Sequence, residues 1–341
     1  MKLDPTVLTN GGLTHTLRTI ATGETIHHIK LVREKSLNAL QPATFTALDA
    51  IIDTVKSPCY VLLTASGRAF SAGGDVRMLR EKVINAGPLQ SESRRAAAWG
   101  TLNKEYRFME RMASLRDSGV VTVALADGFA FGAGQGLFQS CAVRLVTPNA
   151  LFAMPEVAIG LVPDCGATHF YSRMPGCVGM YAALTGARIN APDAIQLGLA
   201  DGAIDAQWIG ADLIGVSEQA VLKSAQNGLA GTTHLSNAES EMRRIIDDLF
   251  SYGSVSHILQ AIERKEDDWA KQAAAAMRKA SPRALDECLR VMKEGYKSGG
   301  FIEALDRELV ADADLAARWD FVEGVRALLV DKTGNPKWEQ V

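Results

Sequence analysis

An α/β fold with a helical C-terminal part is the class this sequence predicts, on three observations. Apolar, strand-like runs alternate with Gly-rich turns and helical stretches over roughly the first 205 residues. Two of those runs feed turns almost devoid of side chains, Ser71-Ala72-Gly73-Gly74-Asp75 and Gly132-Ala133-Gly134-Gln135-Gly136. Beyond residue 205 the apolar spacing is helical nearly throughout. The expected division is therefore an α/β core over residues 1–205 and a helical region over 206–341.

Taken in order, Thr25–Leu31 reads as a strand, so the adjacent His27 and His28 point to opposite faces and do not form a ligand pair. Cys59–Thr64 is a second strand, leading through Gly67-Arg68-Ala69-Phe70 into the first turn. Asp75 then caps a helix that begins Val76-Arg77-Met78-Leu79. Val120–Ala126 repeats the plan and leads into the second turn and the helical run Leu137–Cys141, and Val143–Val146 is a further strand. Helical periodicity then marks Ala211–Gln226, Ala238–Phe250, Val255–Glu263, Asp267–Lys279, Pro282–Tyr296 and Ile302–Trp319. Ser281-Pro282 supplies a start, and Gly295, Gly299 and Gly300 mark an end.

The chemistry concentrates in Met154–Gly166, an apolar run that holds Glu156 and Asp164 and is broken by Pro155, Gly160, Pro163 and Gly166. Those breaks allow the chain to fold back and bring both acids to one pocket. Poor solvation and mutual repulsion raise carboxyl pKa values, which suits one acid to act as base or nucleophile and its neighbour as proton donor. A plainer alternative stays open: Asp164 caps a helix through Ala167–Arg173, and Glu156 lies at the surface. The Gly-rich turns leave backbone N–H groups able to hold an anion or a developing oxyanion, although such turns also serve close packing. Neither turn has the Lys-Ser/Thr ending of a P-loop or the spacing of a dinucleotide fingerprint, which disfavours nucleotide hydrolysis and hydride transfer. N–H donors combined with acids point instead to acyl chemistry at a carbonyl.

Composition narrows the partners. The 341 residues carry a net charge of −3 with no basic stripe, so nucleic acid is not expected. Five scattered cysteines form no CxxC pair and fit a reducing compartment, and no metal site is implied. Cys165 adjoins Asp164, but only His169 is near it in sequence, and it is read as a buried thiol. No stretch approaches the ~20 apolar residues of a membrane span, and no targeting segment is seen. A bacterial cytoplasmic enzyme is the expectation; a mitochondrial matrix chain lacking its transit peptide would look the same.

Ser71-Ala72-Gly73-Gly74-Asp75, Gly132-Ala133-Gly134 and Met154-Pro155-Glu156 resemble the crotonase (enoyl-CoA hydratase/isomerase) superfamily, whose members act on acyl-CoA thioesters. Within it, Phe152–Asp164 and the tail Asp320–Lys332 with Asn335-Pro336-Lys337-Trp338 look most like the 3-hydroxyisobutyryl-CoA hydrolase family. The likeness spans nearly the whole chain, and the tail discriminates best, since ordinary hydratases are typically shorter and lack it.

The resemblance implies a crotonase-like spiral of repeated β-β-α units, followed by a mostly helical C-terminal region that covers the acyl-CoA site of its own chain or of a neighbour. It assigns the oxyanion hole to the backbone N–H groups of Ala72 and Ala133 and the catalytic carboxylates to Glu156 and Asp164. Glu105, Gly73, Gly74, Asp75, Gly132 and Gly134 would line the acyl site, and Lys35 and Ala39 lie in the segment resembling the loop near the CoA adenine. Glu105 also reads as a solvated position on an exposed helix. Lys30, Arg33, Lys35 and Arg68 are candidates for the CoA phosphates, and Phe131, Phe138 and Phe152 for the acyl pocket. No cofactor is implied, because CoA enters as part of the substrate.

Where hydratases carry a second glutamate this chain has Gly136, and Asp164 replaces a hydratase glycine. Both departures favour thioester hydrolysis in valine breakdown over enoyl-CoA hydration or isomerisation. A non-catalytic acyl-CoA binder is the third reading. The oligomeric state stays open between monomer, trimer and hexamer.

Overall fold

The computed structural model describes residues 4–19, 23–204, 240–297 and 299–340. Helix α1 (Pro5–Gly11) is capped by Asp4, whose side chain accepts the Thr6 N–H at 2.8 Å. Strands β1 (Leu13–Thr19) and β2 (Thr25–Leu31) pair antiparallel with Leu13 opposite Leu31, and α2 (Pro42–Ile52) follows.

From there the chain repeats a unit of long strand, short strand and helix. The first copy is β3 (Cys59–Ala65), β4 (Ala69–Ser71) and α3 (Val76–Ala86), with the long helix α4 (Glu92–Ser114) after it. The second is β5 (Val120–Ala126), β6 (Phe129–Phe131) and α5 (Ala133–Gln139). The third begins with β7 (Val143–Val146) and β8 (Leu151–Ala153), continues through the 3-10 turn Glu156–Ile159, and reaches α6 (Ala167–Phe170) and α7 (Val178–Thr185). Next come β9 (Ile189–Asn190), α8 (Ala191–Gln196) and β10 (Gly202–Ala203). The long strands join one sheet, β1-β2-β3-β5-β7-β10, and the short strands a second, β4-β6-β8-β9. This is the expected spiral of β-β-α units. From β2 onward the long strands pair in parallel, and their apolar runs Val61-Leu62-Leu63 and Ala124-Leu125-Ala126 are buried, as parallel strands require.

Helix α5 starts at Ala133, four residues before the run read from sequence, so the Gly-rich turn is itself the helix's first turn. Close packing outweighs the poor helix propensity of glycine here: a Cβ on Gly134 would lie 2.5 Å from Ser71 O.

The C-terminal part is helical: α9 (Glu241–Leu249), α10 (Val255–Glu263), α11 (Asp268–Lys279), α12 (Pro282–Lys297), α13 (Phe301–Ala316) and α14 (Trp319–Val325). Ser240, Ser254 and Asp267 cap the first three through the N–H groups of Arg243, His257 and Ala270. The single helix expected over Ile302–Trp319 is two, because Arg318 is extended (φ −94°, ψ 168°) and the chain restarts at Trp319. The break turns Asp320 and Glu323 inward, both buried. The expected helix Ala211–Gln226 lies outside the described residues.

Contacts gather the described residues within Met1–Gly74, Lys104–Phe152 and Ile189–Thr233 into one compact unit, and those within Asp75–Asn103, Ala153–Arg188 and His234–Val341 into another. The units interleave in sequence rather than dividing at residue 205. Within the second, α14 packs on α3, and α12 and α13 pack on α6, which draws earlier segments of the chain in with the C-terminal helices. No helix among the described residues is long and apolar enough to cross a membrane.

Candidate active site

In the first unit the two Gly-rich turns abut. A Cβ on Gly73, whose φ is +101°, would come within 3.0 Å of Phe131 O and 3.6 Å of the Ala133 nitrogen. One on Gly74 would stand 3.9 Å from Ala133 Cβ and 3.5 Å from Glu105 Oε2. Glycine at 73 therefore serves both a left-handed backbone and a close approach. Gly132 precedes α5 at φ 51°, and Gly134 packs against Ser71.

Hydrogen bonding corrects one expected role. The Ala72 N–H donates to Leu37 O at 2.9 Å and the Leu40 N–H to Gly73 O at 2.8 Å, so the loop after Lys35 runs beside the first turn. The Ala72 N–H is thus engaged in the fold and is not available to an oxyanion. Gly74 is the residue that stands against Ala133, and among the described residues no backbone carbonyl takes its N–H. Ala133 is the first residue of α5, where an N–H falls outside the intrahelical ladder, whereas Gln135 and Gly136 both donate to Gly132 O. Gly74 and Ala133 are the available pair. Glu105 is buried beside Gly74, not on a solvated helix face.

Lys35 is exposed on a 3-10 turn, and Ala39 is half-buried with its carbonyl accepting from Arg33. Asn38 ties this loop down through Ser66 O at 2.9 Å and Ala69 O at 2.8 Å. Asp75, in the second unit, accepts the Met78 N–H at 3.2 Å, so its side chain works as the cap of α3.

The second unit carries the acids. Glu156 begins the 3-10 turn that follows Pro155 and is 8% exposed; Asp164 is 6% exposed. Neither is a surface residue. Helix α6 has Gly166 at its N-cap with no side-chain cap of its own. The Gly166 and Thr168 N–H groups donate instead to Glu308 of α13, at 2.6 and 2.7 Å. The capping alternative for Asp164 thus falls away, because another carboxylate does that work. Cys165 is fully buried, as expected for a structural thiol. Among the described residues no group of three or more His, Cys, Asp or Glu side chains is arranged to hold a metal ion.

Two acids were missed from the sequence. Glu308 and Asp312 are each 0% exposed and stand one turn apart on α13, on the stripe that also carries Ala304, Leu305, Leu309 and Leu315. Acids recurring within an apolar stripe are the signal that could have found them. Burial pushes Glu308 up from 4.5 to about 8, opposed by hydrogen bonds from Thr168 and Gly166 and assisted by the charge of Asp164. Burial also drives Asp312 well above the usual carboxylate range, with Asp164 the strongest charge acting on it and Glu156 and Glu308 adding to the effect.

A pH dependence follows. The folded protein holds the Glu308 proton more tightly than the unfolded chain, so this stabilising contribution is intact below about pH 4.5 and is lost as pH rises through about 8. Melting temperature should accordingly fall between pH 5 and pH 8, and Glu308→Gln should flatten that slope in thermal melts across the range. Equal slopes in the two proteins would refute it.

The C-terminal tail is held by α14. The Glu339 N–H donates to Asp320 Oδ1 at 2.7 Å, the Lys337 N–H to Glu323 Oε1 at 2.8 Å, and Trp319 Nε1 to Lys337 O at 2.8 Å. The other Asp320 oxygen accepts from Ser281 Oγ at 2.5 Å, and the Ser281 N–H donates to Val157 O at 3.0 Å, one residue from Glu156. Tail, Asp320 and Ser281 thus brace the Glu156 turn in series. Asp320→Ala would leave buried donors unpaired, so we expect a loss of about 1–3 kcal/mol in urea denaturation; a variant as stable as the parent would remove Asp320 from this bracing role.

Comparison with known proteins agrees with this architecture. A family model described as enoyl-CoA hydratase/isomerase matches residues 26–341. The chain is 35% identical over 325 residues to a probable 3-hydroxyisobutyryl-CoA hydrolase of Arabidopsis thaliana, covering 90% of this chain and 82% of that protein. It is 30% identical over 329 residues to the mitochondrial 3-hydroxyisobutyryl-CoA hydrolase of Homo sapiens, covering 91% and 81%. Among solved structures, an enoyl-CoA hydratase from Rhodobacter sphaeroides superposes with a TM-score of 0.81 at 32% identity, over 96% of this chain and 92% of that one. The repeated β-β-α units, the paired Gly-rich turns and these matches together place the chain in the enoyl-CoA hydratase/isomerase family.

Proposed function

We propose that this protein hydrolyses acyl-CoA thioesters, with 3-hydroxyisobutyryl-CoA as substrate and 3-hydroxyisobutyrate and CoA as products. The observation that carries the reading is the buried pair Glu156 and Asp164, together with Gly136 where a hydratase resembling this chain would have its second acid. Relatives named as 3-hydroxyisobutyryl-CoA hydrolases, matched over nine-tenths of the chain, support it.

In this reading the thioester carbonyl oxygen accepts from the Gly74 and Ala133 N–H groups, which stabilise it more as negative charge develops. Glu156 attacks the carbonyl carbon, the C–S bond breaks, and CoA leaves as the thiolate. Water then cleaves the resulting mixed anhydride, returning the Glu156 carboxylate and releasing the hydroxy acid. Alternatively Glu156 takes a proton from water, which attacks directly. Asp164 accepts from the substrate's 3-hydroxyl or manages the protons of water and thiol. Glu105, Gly73 and Gly132 belong to the acyl site, and Lys35 and Ala39 to the loop near the adenine. CoA arrives with the substrate, and no further cofactor is called on. Valine breakdown is the corresponding process. Relatives named as mitochondrial favour an organellar matrix as one setting, beside a bacterial cytoplasm.

Enoyl-CoA hydration is the second reading, favoured by the name of the structure from Rhodobacter sphaeroides. The deciding experiment measures thiol release from 3-hydroxyisobutyryl-CoA alongside loss of the conjugated absorbance of crotonyl-CoA. Thiol release without hydration supports the hydrolase. Hydration without thiol release overturns it.

A further inference from the structure

Asp164 stands in a tight loop whose backbone bond runs from the Ala167 N–H to the Asp164 carbonyl at 3.0 Å. Pro163 has no N–H to donate, and Cys165 and Gly166 follow in succession at φ +56° and +93°. A left-handed cysteine is strained and persists only where its surroundings over-determine it.

In the second unit the surroundings are α13. Asp312 Oδ1 accepts the N–H of Val162, two residues before Asp164, at 2.9 Å. Glu308 accepts the N–H of Gly166, two residues after it, at 2.6 Å. Glu308 also takes the Thr168 N–H at 2.7 Å and the Thr168 hydroxyl at 2.6 Å, while Arg307 Nη2 donates to that hydroxyl at 2.8 Å. The two carboxyls are one helical turn apart, so they meet the loop on either side of Asp164. Burying them is costly, and apolar residues would fill the same space more cheaply. Their geometry accounts for their presence.

We propose that Glu308 and Asp312 are positioning residues for Asp164, clamping the loop at Val162 and Gly166 and fixing where the Asp164 carboxyl stands during turnover. The inference rests on the role given to Asp164 in the proposed reaction. The titratable and charged groups around the clamp are Asp164 and Glu156 from the loop, Cys288 from α12 and Arg307 from α13. Below about pH 8 Glu308 is mostly the neutral acid, and its O–H then donates to Thr168 Oγ1, since a hydroxyl can turn from donor to acceptor. The clamp therefore survives either protonation state.

The test uses the full chain and thiol release from 3-hydroxyisobutyryl-CoA, with Glu308→Gln and Asp312→Leu made alone and in an Asp164→Asn background. The first substitution would set an NH2 group against a backbone N–H, and the second would remove the acceptor of the Val162 N–H while keeping a side chain branched at the same carbon. Each single variant should lower kcat about 10- to 100-fold with KM changed less than about threefold, as expected when a reacting group is displaced but binding is kept. In the Asp164→Asn background the same changes should cost less than about twofold, because the clamp acts through Asp164. Undiminished losses in that background, or unchanged kcat in both single variants, overturn the proposal.

Should a carboxyl replacement fail to fold, Thr168→Val removes the hydroxyl that bonds Glu308 in either direction and is read by the same cycle. A kcat loss that vanishes in the Asp164→Asn background supports the clamp, and one that persists there overturns it. If the parent protein releases no thiol, the functional reading fails. The cycle is then run on crotonyl-CoA hydration, and its outcome judges the clamp by itself.

Discussion

Glu156→Gln is expected to reduce thiol release by about 10²–10⁴-fold, the range by which a positioned acid or base accelerates a reaction, with KM for the CoA thioester little changed. Glutamine preserves the shape and one acceptor of the side chain, so the 3-10 turn Glu156–Ile159 and its packing against α12 and α14 should survive. What is lost is the negative charge, and with it both routes open to this residue, attack on the carbonyl and activation of water. Asp164→Asn should also lower kcat, by less, because a partner that orients a hydroxyl or moves a proton is partly replaced by an amide. Steady-state kinetics on purified variants with matched melting curves check both. Turnover within twofold of the parent in both variants would end the assignment of these carboxylates and return the chain to the class of acyl-CoA binders.

Ala133→Pro is the second large effect. Proline is favoured at the first position of a helix, where its missing N–H removes no intrahelical bond, and Ala133 occupies that position in α5. The fold should therefore tolerate the change, while the substrate oxygen loses one of its two donors. Removal of a single oxyanion donor typically costs about 10²–10³ in kcat. Ala133→Gly, which keeps the N–H, should lose far less, so a proline-specific deficit identifies the N–H and not the methyl as the working group. If proline and glycine variants turn over alike, the donor lies elsewhere. Ala72→Pro should behave differently again, because the Ala72 N–H is bonded to Leu37 O and its loss would appear in stability.

The contrast between Ala72 and Gly74 illustrates where sequence reading stops. The Gly-rich turn, the strand before it and the Asp75 cap are local patterns, and the structure has them where the spacing put them. Which N–H in the turn is available depends on the loop from Leu37 to Leu40, more than thirty residues earlier, whose pairing takes the Ala72 N–H. No local pattern reports that. The one helix expected over Ile302–Trp319 likewise breaks at Arg318 because Asp320 and Glu323 are wanted inside by the tail, a demand made by residues 337–339.

Strand bounds at Thr25–Leu31 and Val143–Val146, the helix bounds Val255–Glu263, the helix end at Lys279, and the acid pair in a broken apolar run were determined by the sequence alone. Each rests on side-chain periodicity or on a bond spanning three residues or so, and such terms are properties of the local chain. Only the tertiary structure decided that Gly74 stands against Ala133, that Glu308 caps α6 in place of Asp164, and that Asp312 reaches Val162. Those partners lie from about sixty to 150 residues apart in sequence, and burial against them fixes which acids stay protonated and which N–H groups stay open.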